Sequence, residues 1–160
     1  MLTYTAAPLP ADQDLVGPVS AKIFARAGRR YADLFVRVCD VDGNGVSRNI
    51  VDGIRRLSPQ TVAAADVQVD GDGVMAVDVT LYPTAYRVKA GHRIRVQVSA
   101  GAFPRYAAIL ERGSRSQPPP RPCGAVFEVF HSSWYPAHVL LPLLPAGVSG
   151  AAITTRPGSS

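Results

Sequence analysis

The chain has 160 residues, 47% hydrophobic and only 18% charged, so one domain with an ample apolar core is expected and a disordered chain is excluded. Its net charge of +5 comes almost wholly from arginines spread along the sequence, a pattern of a solvated basic surface rather than of a nucleic-acid or membrane face. No run approaches the ~18 apolar residues of a membrane helix, and Met1–Thr5 lacks the basic start and apolar stretch of a signal peptide, so a cytoplasmic protein is expected.

Glycine and proline, 14 of each, punctuate short apolar runs, which predicts many turns and few long helices. Residues 2–5 read as a short strand and Ala6–Asp14 as a proline-bearing connection. Leu15–Arg26 alternates, with Val19, Ala21, Ile23 and Ala25 on one face and Ser20, Lys22 and Phe24 on the other. Leu34–Val41 is almost continuously apolar, as a central strand would be, and Cys39 within it reads as a small buried hydrophobe. Asp42-Gly-Asn-Gly45 predicts a hairpin turn, because Gly and Asn accept positive φ cheaply, with 46–56 as the returning strand. A second such turn, Asp70-Gly-Asp-Gly73, leads into alternating Met75, Val77, Val79 and Leu81.

The next stretch is the most informative. A breaker-rich turn is expected around Pro83, then a turn at Ala90-Gly91 opens a strictly alternating strand. Ile94, Val96 and Val98 face inward there, and Arg93, Arg95 and Gln97 outward. Residues 106–112 suggest one helical turn, Ser114–Pro122 a proline-stiffened loop, 124–130 and 139–144 the last strands, and 147–160 a flexible tail after a domain spanning 1–146. About eight strands without an amphipathic helix argue for an all-β sandwich or barrel.

No constellation carries chemistry. Asp40-Val-Asp-Gly-Asn-Gly45 matches the first half of a calcium loop, but the twelfth position is Val51 rather than Glu and both flanks read as strands, so a turn is expected and no metal. Gly147-Val-Ser149-Gly-Ala151 lacks the last glycine of a nucleophile elbow. His92, His131 and His138 have no helical metal spacing, and His92, opening a strand, suits a structural hydrogen bond. Cys39 and Cys123 make neither a disulfide framework nor a zinc site, and no cofactor loop is present. Trp134-Tyr135 beside Pro136 is the candidate binding cluster, able to stack on a sugar or anchor a partner, or else to lie as a lid over the core.

The wording of several phrases, in order, is similar to one family. They are Leu2-Thr-Tyr-Thr-Ala-Ala-Pro-Leu9, Leu15-Val-Gly-Pro-Val19, Asp33–Val41, Gly45–Arg55 with its Asp52-Gly-Ile-Arg, Leu81-Tyr-Pro-Thr-Ala85, Ala90-Gly-His-Arg-Ile-Arg95 and Phe103-Pro-Arg105. Together they resemble the C-terminal non-catalytic domain of the X-Pro dipeptidyl-peptidase and cocaine-esterase class of serine hydrolases. The resemblance implies a jelly-roll-like, galactose-binding-like β-sandwich packed on an α/β-hydrolase domain that carries the catalytic triad. No catalytic residue falls in the matched region. Gly91, His92, Arg93, Phe103, Pro104 and Arg105 are its structural signature here. Departures lie at Ala100–Ala102, at 106–113, where the family has an asparagine-rich run, and at Ala137.

The expected function is therefore an accessory domain of a serine hydrolase acting on peptide, ester or amide bonds, inactive alone. Its partner would be a hydrolase domain in the same or a separate chain, and it would support homo-oligomerisation. The alternative is a free-standing carbohydrate- or protein-binding module, and a weaker third reading is an autonomous enzyme with a novel site.

Overall fold

The computed structural model describes residues 1–28, 32–58, 67–101, 105 and 126–145. Among these there are nine strands and no helix: β1 (Leu2–Thr5), β2 (Gln13–Ala27), β3 (Ala32–Val41), β4 (Ser47–Leu57), β5 (Gln68–Val69), β6 (Met75–Val88), β7 (Arg93–Ser99), β8 (Phe127–Phe130) and β9 (His138–Leu140). All pair antiparallel. One sheet has the order β1-β7-β3-β4, the other β5-β6-β2-β8, with β9 also along β2. The expected helical turn at 106–112, the loop at 114–122, Cys123 and the tail lie outside the described residues.

Alternation fixes the register. Val19, Ala21, Ile23 and Ala25 of β2 and Met75, Val77, Val79 and Leu81 of β6 all point into the core, where they meet Leu34, Val36, Val38, Val51 and Val98 of the first sheet. A one-residue slip would turn each of these rows to solvent, so the long β2–β6 ladder is strongly specified. Arg93 is exposed, Val98 is buried, and Ile94 and Val96 are half-buried against the core. β3 differs: Ala32, Asp33, Leu34, Phe35, Val36, Val38, Cys39, Asp40 and Val41 are all buried, so both of its faces are covered. That is why its sequence is an apolar run rather than an alternation.

The two sheets approach tightly where β4 crosses β6. A Cβ on Gly53 would overlap the Thr80 carbonyl oxygen and sit 2.9 Å from the Leu81 Cα. Only glycine fits there, which gives the Asp52-Gly53 phrase a packing reason.

Three expectations are corrected. No turn forms at Pro83; β6 runs on to Val88. The ladder shifts between Gly17 and Val19, leaving Pro18 opposite Tyr82 and Pro83. Both prolines thus fall in a bulge, where neither has to donate a ladder hydrogen bond. The final strand stops at Leu140 rather than 144, since Pro142 has no N–H to give; its carbonyl instead accepts from Val16 N at 2.9 Å. The strand count of eight becomes nine through β5, two residues paired with Met75 and Ala76, too short to carry any periodicity.

Candidate interaction surface

His92 and Arg105 each bind a buried carboxylate of the framework. His92 Nδ1 lies 2.8 Å from Asp40 Oδ1, and the Tyr86 hydroxyl donates to Asp40 Oδ2 at 2.9 Å. Tyr86 belongs to β6 of one sheet, Asp40 to β3 of the other and His92 to the turn just before β7, so a buried carboxylate ties the two layers at one end. Burial, with the neighbouring Asp40 carboxylate, pushes the Tyr86 phenol above its ordinary range. The turn around Gly91 (φ +81°) is bound to the connection after β1: Gly91 N donates to Leu9 O, Leu9 N to His92 O, and Ala90 N to Asp12 Oδ1. His92 therefore orients backbone, and its Nδ1 is already engaged.

Arg105 is positioned the same way. Its Nε donates to Oδ1 of Asp52, a fully buried carboxylate on β4, at 2.9 Å. Asn49 Nδ2 and Arg37 approach the other oxygen at 3.1 and 3.6 Å. Phe103 and Pro104 lie outside the described residues.

The partial calcium motif is a turn. Asp42 Oδ1 accepts from Asn44 N and Val46 N, both at 3.0 Å, and its Oδ2 from Arg48 at 2.9 Å. Gly45 supplies the left-handed residue at φ +84°. The second turn repeats the arrangement: Asp70 Oδ1 accepts from Asp72 N and Val74 N, and Gly73 sits at φ +77°. Side-chain caps of this kind fix hairpins without a metal. No cluster of three metal-ligating side chains occurs among the described residues.

Trp134 and Tyr135 part company. Ser132 and Tyr135 exchange two backbone hydrogen bonds at 3.1 Å, so Ser133 and Trp134 form the tip of a tight hairpin. Trp134 is 87% exposed there and is no lid over the core. Tyr135 folds back onto the outer face of the second sheet, with its ring 5.6 Å from Phe24 and 5.4 Å from Phe130, and donates to Asp70 Oδ2 at 2.8 Å. That bond, with the backbone donors of the turn, holds the Asp70 carboxyl below its ordinary range and the Tyr135 phenol above its own. Neither residue lines the clefts between the two sheets.

Two clefts lie between the sheets. One, of about 440 Å³, is lined by Tyr4, Val96, Val129, His131, Val139 and Leu141 among others. The other, of about 290 Å³, includes Met1, Leu2, Leu34, Val126 and Phe127. Val98 and Val129 line both, so the two clefts are neighbours between β1–β7 and β8–β9. The His131 ring meets Tyr4 edge-on at 5.5 Å across the larger one. No sequence signal marked these clefts, because their walls come from strands distant in sequence.

The description of the X-Pro dipeptidyl-peptidase C-terminal non-catalytic domain matches residues 1–138. The chain belongs to this family.

As members of it should, the chain is similar to one part of larger hydrolases. It is 26% identical over 147 residues to the cocaine esterase of Rhodococcus sp. (strain MB1 Bresler), covering 90% of this chain and 25% of that protein. Among solved structures, an α-amino acid ester hydrolase superposes with a TM-score of 0.70 at 20% identity, covering 89% of this chain and 25% of that one. An aminopeptidase from a marine-sediment Thaumarchaeota archaeon gives 0.68 at 21% identity, covering 90% and 26%. At these identities the structures attest the fold alone. The domain spans about a quarter of the length of the relatives it matches.

Proposed function

We propose that this domain is the accessory part of a serine hydrolase acting on peptide, ester or amide bonds, and that it works by packing against an α/β-hydrolase unit whose active-site rim it helps to shape. The observation that carries this reading is the use made of its polar side chains. His92, Arg105 and Tyr135 each spend their polar atoms on a carboxylate of the framework, Asp40, Asp52 and Asp70 respectively. Family membership supports the same division of labour, because the relatives are about four times as long. We further read the two-sheet architecture as jelly-roll-like and galactose-binding-like.

Assay of the purified domain with a p-nitrophenyl acyl ester and an X-Pro anilide tests the proposal. Hydrolysis at the buffer rate is expected from the domain alone, with turnover only when the hydrolase unit is present. Turnover by the domain alone, abolished by one serine substitution, would overturn it. The second reading, a free-standing binding module, is favoured only by the exposure of Trp134; a glycan array bound through that residue would establish it.

A further inference from the structure

The chain has two asparagines, and the fold sets them in opposite situations. Asn49 lies in β4 opposite Cys39, its Nδ2 donates to Asp52 Oδ2 at 3.1 Å, and the β-branched Ile50 follows it. Asn44 stands exposed in the turn between β3 and β4, and Gly45 follows it. Its backbone N–H is held by Asp42, but its carboxamide has no hydrogen-bond partner among the described residues.

We propose that Asn44 is a site of spontaneous modification, where the carboxamide is exchanged for a carboxylate through a cyclic imide closed on the Gly45 nitrogen, and that Asp42 governs its rate. The reaction consumes only water. Gly45 N gives its proton to solvent base and bonds to Asn44 Cγ, and the Cγ–Nδ2 bond breaks with ammonia as the leaving group. Water then opens the imide. Cleavage at Cγ leaves aspartate in the original chain. Cleavage at the main-chain carbonyl leaves isoaspartate, in which the backbone runs through the former side chain. Nothing is oxidised or reduced.

The surroundings single out Asn44. A Cβ built on Gly45 meets nothing within 4 Å, so the five-membered ring has room to close. At Asn49 the branched side chain of Ile50 crowds the same closure. The Asp-Gly pairs compete poorly, because an ionised carboxylate is a weaker electrophile than a carboxamide. The carboxylates of Asp42 and Asp70 are moreover bound to backbone N–H groups, and Asp52 is buried.

The same turn holds the brake. Gly45 N, the nucleophile, donates to Asp42 O at 3.0 Å, and Asp42 Oδ1 holds Asn44 N and Val46 N on either side of it. Ring closure is intramolecular, and its rate follows how often the reacting atoms reach attack geometry. The nitrogen must leave the Asp42 carbonyl before it can turn on Cγ.

One product can be seen in the second turn. Asp72 occupies in Asp70-Gly-Asp-Gly73 the place of Asn44, with the same bonds from Asp72 N and Val74 N to Asp70 Oδ1 and from Gly73 N to Asp70 O. Aspartate at position 44 is thus accommodated. Isoaspartate is not, because its extra backbone atom falls between the two N–H groups that the Asp42 carboxylate spans. The hairpin then loses its cap.

The test incubates the purified chain in warm, mildly alkaline buffer and follows tryptic peptides 38–48 and 49–55, which separate the two asparagines. Peptide 38–48 should gain about 1 Da and split into two species, one of them co-eluting with the same peptide from Asn44→Asp. Peptide 49–55 should stay unchanged. Synthetic peptide 38–48, free of the fold, should convert about tenfold faster than the chain, and Asp42→Ala should bring the chain close to that rate. Equal conversion of the two tryptic peptides, or none of 38–48 over about thirty half-lives of the free peptide, would overturn the site. A wild-type chain as fast as the free peptide, or an Asp42→Ala chain no faster than wild type, would overturn the brake. The wild-type readouts hold even if Asp42→Ala loosens the whole domain.

Discussion

Arg105 Nε lies 2.9 Å from Asp52 Oδ1, and the carboxylate it reaches is fully buried. The guanidinium comes from beyond the end of β7 and the carboxylate from β4, at the far edge of the same sheet. The bond therefore straps the segment after β7 across β3 to the opposite edge. Arg105→Ala removes a charged donor from a buried acceptor, and a loss of about 1.5–3 kcal/mol is expected. Urea denaturation checks it, with Arg105→Lys recovering part of the loss because a single ammonium cannot reproduce the guanidinium fork.

Gly53→Ala should be worse than its one methyl suggests. The new Cβ meets backbone of β6, which cannot step aside as a flexible side chain would. We expect at least the 1–3 kcal/mol typical of overpacking. Gly43→Ala, with nothing within 4 Å, is the control and should stay within about 0.5 kcal/mol. Thermal melts of the two variants decide the matter; equal melting temperatures would mean that the sheets do not meet at this point.

The Tyr86–Asp40–His92 bridge predicts coupling. Tyr86→Phe and His92→Gln each take one partner from a buried carboxylate, at a cost of about 1.5–3 kcal/mol. Because they share Asp40, the double variant should depart from additivity by at least 0.5 kcal/mol. Additive losses in a double-mutant cycle would show that the two bonds are independent.

The Tyr135–Asp70 contact sets a pH window at the second turn. The folded-state pKa of Asp70 lies below the ordinary carboxylate value of 3.8, so its contribution is complete above that value and is lost as pH falls through the lowered one. The phenol of Tyr135 is raised above 10.0, so its contribution is complete below pH 10 and is lost as pH rises through the raised value. Amide shifts of residues 68–75 should therefore hold steady across the neutral range and move together in strong acid and in strong base. In Tyr135→Phe the acid step should move toward 3.8.

Much of this architecture can be read before folding is considered. The alternation in β2 and β6, the doubled Asp-Gly-x-Gly turns and the unbroken apolar run of β3 each follow from local pattern. What escapes is whatever depends on partners distant in sequence. Pro83 looks like a break until Pro18 is set against it, and Asp40 and Asp52 look like turn and strand acids until His92 and Arg105 arrive from about 50 residues away. The clefts between the sheets are the extreme case. Their walls come from β1, β7, β8 and β9, which lie far apart in sequence and meet only in the folded domain.

The pairing of β2 bears on how such a domain is made. Its neighbours are β6 on one edge and β8 and β9 on the other, and the last of these ends at Leu140. During synthesis the two capped hairpin turns can form as soon as they emerge, because their contacts are local. β2 must instead wait for more than 100 further residues before its second edge is covered. An unpaired edge of 15 residues is a ready template for the wrong strand. Closure of this sheet thus waits for its last two strands. A stop codon anywhere before Phe127 would leave the longest strand of the domain open along one side.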